Sequence, residues 1–78
     1  MQVNKENKSY SIEFTKNEIL VLFESLVKIN ENNQLNDEAE QKLLCELECS
    51  LEAILAEPFL DNYAEIIKNA KAHLINNR

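Results

Sequence analysis

Thr15-Lys16-Asn17-Glu18-Ile19-Leu20-Val21-Leu22-Phe23-Glu24-Ser25-Leu26-Val27-Lys28-Ile29 is the stretch on which the fold turns. Its first four residues read as a capping box. The Thr15 hydroxyl accepts from the amide three residues on, and the Glu18 carboxylate reaches back to the amide of Thr15. From that start, a helical period puts Ile19, Leu22, Phe23, Leu26, Val27 and Ile29 on one broad face, with Leu20 at its margin. Asn17, Glu24 and Lys28 lie opposite, and Val21 falls among them as an ordinary exposed valine. The spacing predicts a helix over about residues 16–29.

Upstream, Ser9 to Phe14 alternates. Tyr10, Ile12 and Phe14 point one way and Ser9, Ser11 and Glu13 the other, the pattern of a half-buried strand over 9–14 or of an extended apolar clasp. Residues 1–8 (Met1-Gln2-Val3-Asn4-Lys5-Glu6-Asn7-Lys8) are polar almost throughout and read as a mobile tail.

Downstream, Asn30-Glu31-Asn32-Asn33-Gln34 is a loop written without glycine, and one of its asparagines should cap the first helix. Leu35 is expected to fold back onto the core. Asn36 or Asp37 then caps a second helix over about 37–56, with acids gathered at its positive end. Its stripe is Ala39, Leu43, Leu47, Leu51 and Ile54, with Leu44 and Leu55 on the edge. Pro58 stops it, since the residue before a proline avoids the helical region, and Phe59 and Leu60 are expected to plug the corner. A third helix over about 62–75 follows Asp61. Tyr63, Ile66, Ile67, Ala70 and Leu74 form its stripe, and Lys68, Lys71 and Arg78 lie toward its negative end. The expected fold is mostly α: a short N-terminal extended strand followed by a three-helix bundle, one small domain over 9–78.

Composition bounds the function. The chain of 78 residues has material for one core, and 45% apolar content is too much for disorder. Fourteen acidic residues against eight basic ones give a net charge of −6, which repels nucleic-acid backbones and anionic membranes. The apolar run Ile19–Phe23 is far too short to span a bilayer, and no basic leader precedes it. A cytoplasmic protein with reduced cysteines is expected. Glycine is absent, so phosphate-cradling loops and dinucleotide fingerprints are excluded. An acyl carrier would need its serine in an Asp-Ser-Leu context, whereas Ser50 follows Cys49 inside a helix.

Cys45 and Cys49 stand one helical turn apart, too far for an intrahelical disulfide and two ligands short of a zinc site. With Ala53 and Ala56 they read as a face of small residues that lets a second helix, or a second molecule, approach closely. His73 has no nucleophile tied to it by any motif and suits a helix C-terminus. No catalytic, cofactor-binding or metal-binding residue is expected, and the protein is not expected to be an enzyme.

Charge is the feature left over. Residues 37–61 carry eight carboxylates against Lys42 alone, while the flanking segments are closer to balance. This favours a non-catalytic interaction protein of the immunity, inhibitor or adaptor type, with Glu46, Glu48 and Glu52 facing a basic protein partner. Small immunity and inhibitor proteins of bacteria and phages share this economy of size and charge. The alternative is a structural or regulatory homodimer assembled through Tyr10, Ile12 and Phe14 on the N-terminal strand.

Overall fold

Asn7 adopts a positive φ of 52°, and that one residue sets the shape of the N-terminus. Hairpin turns of two residues need a left-handed first position, which asparagine tolerates best after glycine. The computed structural model describes residues 1–32 and 37–76. It places Asn7 and Lys8 between strand β1 (Gln2–Glu6) and strand β2 (Ser9–Glu13), an antiparallel pair with Val3 opposite Ile12 and Lys5 opposite Tyr10. The segment expected to be a mobile tail is therefore half of a hairpin. Its alternation escapes notice because Val3 is the one apolar residue between Gln2 and Lys8.

Paired residues share a face. Val3, Lys5, Tyr10 and Ile12 thus form one side of the hairpin, and Asn4, Glu6, Ser9 and Ser11 the other. Strand β2 is thus paired along one edge within the chain, by β1.

Helix α1 (Lys16–Glu31) begins at the expected capping box. Thr15 Oγ1 accepts from the Glu18 amide at 3.3 Å, and Glu18 Oε1 accepts from the Thr15 amide at 2.8 Å. The same carboxylate meets the Met1 ammonium at 2.8 Å, which pins the start of β1 to the start of the helix. At the far end Asn32 is the C-cap, its amide donating to the Lys28 carbonyl at 3.1 Å.

Helix α2 (Glu38–Ile54) follows Asp37, whose Oδ1 accepts from the amides of Ala39 and Glu40 at 2.8 and 3.1 Å. Leu35 and Asn36 lie outside the described residues, as does Arg78. The helix ends two residues before the expected Ala56, because Leu55 turns to extended backbone at ψ 131°. Pro58 sits inside a 3₁₀ turn (Glu57–Phe59), and the Glu57 carboxylate pairs with the Lys16 ammonium at the base of α1. Phe59 does not plug the corner: it is 70% exposed, and Leu60 is exposed beside it. Helix α3 (Tyr63–Asn76) closes the described chain.

The core is built around α1, which packs against both other helices. Leu20, Phe23 and Leu26 of α1 are buried with Leu51 of α2, with Leu55 just past its end, and with Ile67 and Ala70 from α3. Leu20, at the margin of the stripe by period alone, is the most deeply buried large side chain among the described residues. The reason lies one turn further on, where the Tyr63 hydroxyl of α3 donates to Glu24 Oε2 at 2.9 Å and brings α3 over that flank.

A candidate protein-binding groove

The second helix carries more apolar surface than α1 covers. Leu51 and Leu55 are buried and Leu44 is packed against the core, so one stripe of α2 is satisfied. The neighbouring stripe is not. Leu43 is 65% exposed and Ile54 is 76% exposed, with Leu47 exposed between them. Periodicity puts all six on one arc and cannot say where along that arc α1 lies.

Leu47 and Ile54 of this open stripe form one wall of a groove of about 780 Å³, and Leu43 lies beyond its lining. Strand β2 supplies Tyr10 and Ile12, and Phe14 follows it at the entrance to α1. Ile19 and Leu22 of α1 make the floor with Leu51 and Leu55, and Leu47 and Ile54 stand opposite the hairpin. Tyr10, 70% exposed, is the only lining side chain that carries a polar atom, with the Lys5 ammonium 5.9 Å from its ring centre. A surface of this composition can do one thing chemically, which is to bury the apolar side of something else.

The carboxylates divide into engaged and outward-facing sets. Hydrogen bonding from the Met1 ammonium and the Thr15 amide holds Glu18 below its ordinary carboxylate value. The Lys16 ammonium does the same for Glu57. Glu24 accepts from Tyr63, whose phenol is pushed well up by burial and then by that carboxylate. Glu48 accepts from the Asn30 side-chain amide at 2.6 Å and is half-buried. Glu38, Glu40, Glu46 and Glu52 are exposed.

The three glutamates singled out in the sequence do not share a face. At about 100° per residue, Glu48 and Glu52 are neighbours on one side of α2, while Glu46 lies about 160° round from Glu48. Glu46 and Glu40 bracket the exposed Leu43–Leu47 stripe; Glu52 sits on the far side with Lys42, Cys45 and Cys49. Tyr10, Ile12 and Phe14, the proposed self-association residues, do come together on the groove.

Both thiols are exposed, so among the described residues no helix of the chain packs closely on the face around Cys45 and Cys49. That face points away from α1, the helix against which α2 packs. Among the described residues no three His, Cys, Asp or Glu side chains gather in a way that would hold a metal ion. His73 lies in the last turn of α3. No described helix is long and apolar enough to cross a membrane.

No family model matches the chain, and no curated protein or solved structure is significantly similar to it.

Proposed function

We propose that this chain is a small, acidic, non-catalytic protein–protein interaction protein, of the immunity, inhibitor or adaptor type, that presents α2 to a protein partner with a basic surface. The observation that carries this reading is the open apolar stripe Leu43–Leu47–Ile54 on a helix that bears five glutamates and one lysine. Apolar side chains left open beside a groove supply the binding energy. The surrounding carboxylates select the sign of the partner and speed its approach. Exposed, unbridged cysteines fit a reducing compartment, which supports placing the protein in the cytoplasm.

The test is affinity capture from a lysate of the source organism with two baits, wild type and Glu46→Lys. A basic protein that binds the first, is lost from the second and elutes with salt supports the reading. Equal retention on both baits removes it.

A second reading has its own observation. The hairpin is a sheet of two strands, so β2 keeps one unpaired edge, and Tyr10 and Ile12 are exposed along it. Pairing of two β2 edges about a two-fold axis would extend the sheet and cover both side chains. Light scattering on the full chain distinguishes the readings, because a monomer mass leaves no room for the homodimer.

A further inference from the structure

The open stripe on α2 has the spacing of a helix-packing seam. Leu43 and Leu47 are one turn apart, Leu47 and Ile54 are one heptad apart, and Ser50 holds the small position between them. The run from Leu43 to Ile54 is about 17 Å long, three helical turns. A heptad-spaced seam offers holes into which the knobs of a facing helix fit, so a helix is the element that matches it. We infer that the groove between β2 and α2 receives an amphipathic helix with a basic polar face, supplied by another protein. The inference rests on the interaction reading above and names the form of the partner.

Charge selects this occupant over a second copy of the chain. Docking α2 on the α2 of a second copy would set two helices side by side, each with five glutamates and one lysine. The apolar face of a second copy's hairpin carries a single cation, Lys5, which already lies over the Tyr10 ring, against the five glutamates of α2. Helix α3 spends its apolar stripe, Ile67 and Ala70, on the core. Glu40 and Glu46, on either side of the Leu43–Leu47 stretch, would meet lysines or arginines flanking the apolar side of the incoming helix.

The experiment uses the full chain and two fluorescein-labelled peptides of 18 residues or about five turns. One is a leucine/lysine sequence with all leucines on one helical face. The other has the same composition scrambled so that no face is apolar. The amphipathic peptide is expected to bind one to one and gain helical circular dichroism. The scrambled peptide should bind at least tenfold more weakly. Leu47→Ser and Ile54→Ser should each weaken the amphipathic peptide at least tenfold. Both sites are exposed, and unchanged urea midpoints would show that the variants fold. Glu46→Lys should weaken it and Glu52→Lys should not. Equal binding of the two peptides, indifferent to Leu47 and Ile54, overturns the groove inference and leaves the acidic-surface reading standing. Silence from both peptides overturns the groove inference, while the acidic-surface reading stands or falls by affinity capture. A dimer mass in light scattering that Leu47→Ser converts to a monomer gives the groove to a second copy and also overturns the inference.

Discussion

Asn30 in the last turn of α1 donates its side-chain amide to Glu48 Oε1, in the middle of α2, at 2.6 Å. A residue that the sequence presents as one of several surface acids is thus the polar clasp between the two helices that flank the groove. Glu48→Gln or Asn30→Ala should cost about 1 kcal/mol of stability, and in a double-mutant cycle the two losses should fail to add. Urea unfolding of the single and double variants measures this. Strict additivity would mean that the pair contributes nothing to holding α2 in place.

The two stripes of α2 should separate cleanly by mutation. Leu51→Ala removes a buried side chain and should cost about 2–5 kcal/mol, whereas Ile54→Ser should stay within about 0.5 kcal/mol of wild type. Thermal or urea unfolding decides. A large loss at Ile54 would mean that the exposed stripe is covered in solution.

Tyr63 should leave a mark at alkaline pH. Its phenol is raised above the ordinary value of 10.0 by burial and by Glu24, so the folded state favours the neutral form. The associated stabilisation is complete below that value and is lost as the pH climbs past it. Tyr63→Phe should lower stability by about 0.5–1.5 kcal/mol at neutral pH through the missing hydrogen bond. It should also flatten the alkaline limb of the stability profile.

Glu57 gives the opposite dependence. Its folded value lies below 4.5 because Lys16 donates to it, so its contribution is present above that pH and fades as the pH falls through the folded value. The stability gap between wild type and Glu57→Gln should therefore be seen at pH 7 and should close in acid. A gap that persists unchanged down to pH 2 would show that the loss is one of packing.

Both thiols should react at once. Cys45 and Cys49 are exposed, so Ellman's reagent should titrate both in the native protein without denaturant. Serine at both positions should change stability by less than about 0.5 kcal/mol. Slow or partial labelling would mean that another surface covers that side of α2.

Much of this architecture is legible from local chemistry. The capping box at Thr15, the Asp37 cap and the α3 stripe through Ile67 and Ala70 depend on residues near one another in the chain, and they appear as the spacing implies. What escapes is whatever depends on the neighbour. Leu20 reads as the margin of a stripe and Ile54 as a member of one, yet among the described residues Leu20 is the most buried large side chain and Ile54 is exposed to water. Only the placement of α3 and α1 distinguishes them. The first strand is hidden for a different reason, because Asn7 performs a turn that usually announces itself with glycine. Of the candidate site, Tyr10, Ile12 and Phe14 could be found by alternation. The grouping of Glu46 with Glu48 and Glu52 ignored the angle each residue makes around the helix.

The six opening residues of α2, Glu38 to Leu43, are all exposed, and the Asp37 cap is the contact that anchors their first amides. Segments with few buried apolar contacts open locally, well below the free energy of global unfolding. Amide protons of Leu43 and Leu44 should consequently exchange with deuterium faster than those of Leu26 in the core. The first six residues of α2 should therefore fray and re-form while the remainder stays folded. Their protection against exchange would rise when something lies down along them, making this stretch its own reporter of occupancy.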